Sequence, residues 1–112
     1  MIDWSRVKEL HDEIGPDAFG EVVGLFLEEA DEAVAQLPNC TDARSIESAL
    51  HFLKGSALNL GFRVLAQLCQ TGERQAAAGD TGVDLGAIVV SYTLSRDAFA
   101  QGTATMLDDN AV

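Results

Sequence analysis

Apolar residues in this chain recur three and four positions apart through most of its length, and the only two prolines, Pro16 and Pro38, fall where that rhythm breaks. A repeat near 3.6 residues gathers such positions on one face, so the chain is committed to amphipathic helices that bury those faces against one another. A short first helix is expected from about Ser5 to Ile14, with Asp3 as its cap and Val7, Leu10 and Ile14 on one side; Gly15 and Pro16 end it. The second, about Asp17 to Leu37, carries Phe19, Val22, Val23, Phe26, Ala30, Ala33, Val34 and Leu37 and stops at Pro38 and Asn39. The third runs from about Asp42 to Leu60 behind a Thr41 cap and ends at Gly61, which supplies a positive φ. The fourth, about Phe62 to Ala78, is apolar at Leu65, Leu68, Cys69 and Ala76, and Gly79-Asp80-Thr81-Gly82 makes the turn after it. The last spans about Asp84 to Met106 through Leu85, Ile88, Val89, Tyr92, Phe99 and Met106. Only Ile88-Val89-Val90 reads locally as strand. The expected fold is all-α, an antiparallel four-helix bundle with an additional short N-terminal helix, and residues 1–112 form a single domain.

A chain of 112 residues that is 47% hydrophobic and 22% charged has enough apolar surface for one core without disulfides or a structural metal. Cys40 and Cys69 lack metal-site spacing and are expected as buried free thiols. No apolar run approaches the roughly 20 residues of a membrane span, and the start, Met1-Ile2-Asp3-Trp4, lacks the basic and apolar regions of a secretory leader, so a cytoplasmic location is expected. A formal net charge of −11 repels nucleic-acid backbones and anionic membranes, which excludes both as partners. Trp4 and Tyr92 are expected in the core or at a bundle end. Asp108 and Asp109 are read as solvated residues of a short polar tail.

The informative stretch is His51-Phe52-Leu53-Lys54-Gly55-Ser56-Ala57. At about 100° per residue, Ile46, Leu50, Leu53, Ala57 and Leu60 share one sector of the third helix, which is its core stripe. His51 lies almost opposite, with Arg44, Glu47, Ser48, Lys54, Gly55 and Leu58, and therefore faces outward. Lys54, at i+3, can offer an ammonium to an anionic group on the imidazole. Gly55, at i+4, costs roughly 0.5–1 kcal/mol relative to alanine inside a helix, so something should compensate for it. Either it leaves room beside the ring for a phosphoryl group or a partner's loop, or it permits close helix packing. Leu58, at i+7, adds an apolar spot to the same surface.

This stretch, continued through Asn59-Leu60-Gly61 and Leu65, Leu68 and Cys69 to Glu73, resembles the histidine-phosphotransfer (HPt) family of multistep phosphorelays. The resemblance covers the third and fourth helices closely and the rest by helix pattern. It implies that His51 is the phosphoacceptor, Lys54 the cation near the phosphoryl oxygens and Gly55 the small residue giving access. It also implies a docking surface that includes Arg44, Glu47, Ser48, Leu58 and Glu73. In many relatives a glutamine at the position of Glu73 hydrogen-bonds the imidazole; a glutamate would do so as acceptor and would repel the phosphate if too near. Some relatives carry a further basic residue where this chain has Ala77.

The implied partners are response-regulator receiver domains and a hybrid histidine kinase. No cofactor of its own is implied, since Mg²⁺ is expected in the partner receiver domain. Neutral imidazole is a competent nucleophile near pH 7 toward an aspartyl phosphate. A phosphoryl group adds a charge of about −1.5 to −2, which Lys54, with Arg44 or Arg63, would offset locally. The chain has no glycine-rich nucleotide-binding stretch, and Phe52 follows the histidine where kinase dimerisation helices usually have an acidic residue. A phosphoryl carrier rather than an autokinase is expected. A metal-binding bundle would need Glu-x-x-His pairs, but Glu47 stands four residues before His51. The alternative of another class is an interaction module in which His51 is incidental. The chain is expected as a stand-alone carrier and a monomer.

Overall fold

The computed structural model describes residues 1–110, with side chains described through Thr105. The expectations for the side chains of Met106, Asp108 and Asp109 lie outside the described residues. Among the described residues the chain forms α1 (Trp4–Ile14), α2 (Pro16–Gln36), a 3-10 turn (Leu37–Asn39), α3 (Ala43–Leu60), α4 (Arg63–Ala77) and α5 (Leu85–Asn110). No strand forms among them, and one isolated β-bridge joins Ile2 to Phe62. This is the expected all-α bundle with a short N-terminal helix.

The boundaries depart from the sequence expectation in four places. Pro16 does not close α1; Gly15, at φ 82°, does, and Pro16 opens α2, because its fixed φ and missing N–H suit the first helical position. The cap of α3 is Asp42 rather than Thr41: its carboxylate accepts from the Ser45 N–H at 2.7 Å and from the Ser45 hydroxyl. Asp42 is held ionised below its ordinary range by those hydrogen bonds. Asp84 caps α5 instead of forming its first residue, accepting from Ala87 N–H at 3.0 Å, and the helix continues past Met106 to Asn110. Cys69 is buried as expected, but Cys40 is only half-buried; both are free.

The core follows the apolar stripes. Leu50, Leu53 and Leu60 of α3 and Leu65 and Cys69 of α4 are fully buried, joined by Val7, Phe19, Ala30, Ile88 and Phe99 from the other helices. Truncating one of these leucines to alanine costs about 2–5 kcal/mol in such a setting. Tyr92 is buried, and Trp4 lies half-exposed at a bundle end, stacked on Phe99. Across α2 and α5, Tyr92 donates its phenol to Asp31, which also takes two hydrogen bonds of 3.1 Å from Arg96.

Two glycines fix how α3 and α4 meet. Gly61 sits in the left-handed region (φ 76°, ψ 21°), its N–H returning to Ala57 and Leu58 carbonyls, and a β-carbon there would stand 2.7 Å from the Asp3 carbonyl oxygen. The N-terminal segment clasps this turn, with Asp3 N–H donating to Gly61 O at 2.7 Å and Arg63 N–H to Met1 O at 3.0 Å. Gly72, buried on α4, lies so close to α3 that a β-carbon would meet Leu50 Cδ1 at 2.6 Å. The two helices thus form a tight hairpin that presents its outer groove to solvent. No helix among the described residues is long and apolar enough to cross a membrane.

Candidate functional site

The core stripe of α3 is buried as its spacing requires, and His51 stands on the opposite side with its side chain 71% exposed. From α4, Glu73 reaches across the groove: its Oε1 lies 2.7 Å from His51 Nδ1 and its Oε2 lies 2.7 Å from Lys54 Nζ. One carboxylate therefore joins the two α3 residues that the sequence singles out. The Glu73 side chain is 19% exposed. The hydrogen bond from Lys54 holds its carboxyl below the ordinary value, against the opposing effect of burial, and the His51 contact adds to the lowering. Glu73 is thus an ionised acceptor, and Nδ1 must carry the ring proton in order to bond it. Nε2 is left with a free lone pair.

Gly55 is exposed, and a β-carbon built there meets nothing within 4 Å. Close helix packing therefore does not explain this glycine, and the space beside the ring stays open. Lys54, half-buried, spends one of its three ammonium donors on Glu73.

The remaining expected residues are spread around this centre. Glu47 and Glu73 line a groove of about 360 Å³ with Lys54, Gln70, Arg74 and Ala77. Leu58, 57% exposed, lines a second groove of about 370 Å³ between α3 and α4 that also includes Lys54 and Gln70. Ser48 lines a third, of about 710 Å³ between α2 and α3, with Glu29, Glu32, Ala33, Ala49 and Phe52. Arg44 is exposed two turns before His51 and makes no ion pair among the described residues. Arg63 does not support the site: it pairs with Asp3 at 3.5 Å by the α3–α4 turn, about 15 Å along the helix from His51.

Phe52 is an addition to the docking residues that the sequence suggests. It is 50% exposed next to His51, and its place outside the Ile46-Leu50-Leu53-Ala57-Leu60 stripe was the available signal. With Leu58 it adds exposed apolar area to the outer face of α3, in a surface that also carries charges of both signs from Glu47, Glu73, Lys54 and Arg74.

Comparison with known proteins agrees with this geometry. The chain is 31% identical over 72 residues to histidine-containing phosphotransfer protein 5 of Arabidopsis thaliana; the alignment takes in 59% of this chain and 46% of that protein, so the chain spans about half the length of the curated relative. The fold is similar to the crystal structure of histidine-containing phosphotransfer protein B from Pseudomonas aeruginosa PAO1, with a TM-score of 0.79 at 22% identity over 90% of this chain and 92% of that one. Residues 21–100, well over half of the sequence and including the whole of the His51–Glu73 site, match the Hpt domain, and the chain belongs to that family.

Proposed function

We propose that this protein is a phosphorelay carrier that takes a phosphoryl group onto His51 Nε2 from the aspartyl phosphate of one receiver domain and passes it to another. The observation that carries this reading is the Glu73 carboxylate bound to both His51 Nδ1 and Lys54 Nζ on an exposed helix face. Glu73 selects the tautomer whose nucleophilic nitrogen points away from the bundle. In a loose phosphoryl-transfer transition state the demands are alignment and charge stabilisation rather than covalent activation. Lys54 has donors left over after Glu73 and can turn them to the phosphoryl oxygens, and the opening at Gly55 lets the partner's active-site loop approach. The receiver, with its Mg²⁺, supplies the remaining stabilisation, so this chain is a carrier and not an autokinase.

The docking surface comprises Phe52, Leu58, Ser48 and Glu47 around the ring, with Arg44 at its edge. A receiver domain, presented either alone or within a hybrid histidine kinase, is the partner this surface suits. We also propose that residues 1–112 act as one domain and as a monomer.

The reading is tested by incubating the protein with a panel of phosphorylated receiver domains and following label transfer, with His51→Gln as control. Acid-labile, alkali-stable label on the wild type that is absent from an equally folded variant supports it. Equal labelling of both moves the site elsewhere, and no labelling from any receiver favours a plain interaction module.

A further inference from the structure

The carboxylate that orients the resting imidazole also constrains the phosphorylated one. We infer that Glu73 holds the Nδ1 proton of His51 throughout the phosphoryl cycle, so that the phosphorylated ring is a phosphoimidazolium and transfer proceeds by electron-pair movement alone. This rests on His51 being the phosphoacceptor.

In uptake, the Nε2 lone pair forms the N–P bond, the P–O bond of the aspartyl phosphate breaks, and its electron pair goes to the departing carboxylate. Nδ1 keeps its hydrogen, and the ring becomes formally positive beside the negative Glu73. In delivery, a receiver carboxylate oxygen forms the new P–O bond, the N–P pair returns to Nε2, and the ring is neutral again with the same proton on Nδ1. No proton enters or leaves in either direction.

A phosphoimidazolium with no partner on Nδ1 sheds that proton as the pH rises past the range in which an ordinary imidazolium does so, about 6.5. A neutral phosphorylated ring is then a poor donor, because it would have to depart as an imidazolate anion. Glu73 opposes this loss. Its Oε1 is 2.7 Å from Nδ1, and a carboxylate offers only acceptor atoms, whereas a glutamine can turn its NH₂ group toward a deprotonated Nδ1 and favour the neutral ring. Lys54, 2.7 Å from Oε2, keeps the carboxylate in place. The other charged groups of the flanking grooves are Glu47 of α3 and Arg74 of α4, in the groove that Glu73 and Lys54 line, and Glu29 and Glu32 of α2 in the Phe52 groove. Among the described residues, Glu73 alone is in hydrogen-bond reach of a His51 ring nitrogen. Glu73 is thus a positioning residue that acts through His51.

The test phosphorylates the whole chain with phosphoramidate, a small donor that needs no partner. It then follows the ring nitrogens by ¹⁵N NMR from pH 6 to 9, together with loss of label from the isolated phosphoprotein. The wild-type phospho-ring is expected to keep Nδ1–H at least about one pH unit higher than Glu73→Gln, and at pH 8 to lose its label about tenfold faster than that variant. Glu73→Asp, which keeps the charge, is expected to restore part of the wild-type profile. Coincident titrations and decay rates in wild type and Glu73→Gln would overturn the inference while leaving His51 as the phosphoacceptor. Label that never reaches His51 in the wild type would remove the carrier reading and this inference with it.

Discussion

Lys54 and Glu73 meet across the α3–α4 groove in a charge-assisted hydrogen bond of 2.7 Å, with the carboxylate four-fifths shielded from solvent. The pair ties the second helix of the hairpin to the first at the level of the histidine. Its effect on stability should depend on pH with a definite sign. The Glu73 carboxyl is lowered in the folded state, chiefly by Lys54, so its contribution is present above the unfolded value, about 4.3, and is lost as the pH falls through the folded value. Lys54→Met is therefore expected to destabilise the protein by about 0.5–1 kcal/mol at pH 7. The gap between urea midpoints should close toward pH 3. A gap that persists undiminished in acid would mean that packing of the lysine stem, not the ion pair, is responsible.

The same substitution removes a donor to the phosphoryl oxygens. Loss of one charge-assisted hydrogen bond corresponds to about tenfold in rate. Phosphorylation of Lys54→Met from a phosphorylated receiver should slow by roughly that factor, and single-turnover labelling would show it.

Alanine should act in opposite directions at two glycines. At Gly55 an added methyl meets nothing, and relief of the helical glycine penalty should raise stability by about 0.5–1 kcal/mol. Transfer should slow when a larger side chain, as in Gly55→Gln, fills the space beside the ring. At Gly72 the methyl would stand 2.6 Å from Leu50 Cδ1 and 2.9 Å from Val83 Cγ1, so Gly72→Ala should cost about 1–3 kcal/mol by overpacking. Thermal melts of the two alanine variants check the opposed signs.

The two thiols should differ in reactivity. Burial pushes the Cys69 thiol up to about 12, with nearby Glu73 adding to the effect, which leaves almost no thiolate at neutral pH. Cys40 is half-buried beside the 3-10 turn. Brief treatment with iodoacetamide should label Cys40 in the native protein and reach Cys69 only in denaturant, as peptide mass mapping would reveal. Native labelling of Cys69 at the Cys40 rate would contradict the buried placement.

Asp31 should matter for stability and not for transfer. It gathers the Tyr92 phenol and the Arg96 guanidinium into one cluster joining α2 to α5. Asp31→Ala is expected to cost about 1–3 kcal/mol, because the buried phenol loses its charged acceptor and keeps only the Leu27 carbonyl at 3.3 Å, while Arg96 loses both of its hydrogen bonds. Labelling of His51 should be unchanged once the variant is shown to be folded.

Most of this architecture could be read along the sequence because the apolar repeat is regular. The stripe from Ile46 to Leu60 leaves one possible phase for α3, and that phase alone puts His51, Lys54, Gly55 and Leu58 on the outer face. Details that depend on competition between neighbours were harder. Thr41 and Asp42 are both capping residues, and Asp42 prevails because Ser45 offers it two donors at the right distance. Pro16 carries the same signal after a helix as at the start of the next. Asp108 and Asp109 read as a tail by their polarity, yet the stretch holds neither a glycine nor a proline to stop α5, which continues to Asn110.

The role of Glu73 was the least legible feature. Its importance could be expected only from family likeness, since nothing in its local sequence says which of α3's residues it will face. That is decided by how two helices are phased, and Phe52 shows the complementary case. Its exposure was open to a helical wheel, but the groove beside it needed the position of α2.

The clasped turn at Gly61 acts as a phase lock on chemistry performed some distance away. His51 and Glu73 belong to different helices, and their alignment is transmitted through the ten residues before the glycine and the twelve after it. A single residue inserted within α4 between the turn and Glu73 would swing the carboxylate by about 100° around the helix axis and carry it away from the imidazole, with neither active residue altered. An exposed substitution such as Gly55→Ala leaves that phase intact, whereas any side chain at Gly61 would press on the Asp3 carbonyl and loosen the turn that sets it.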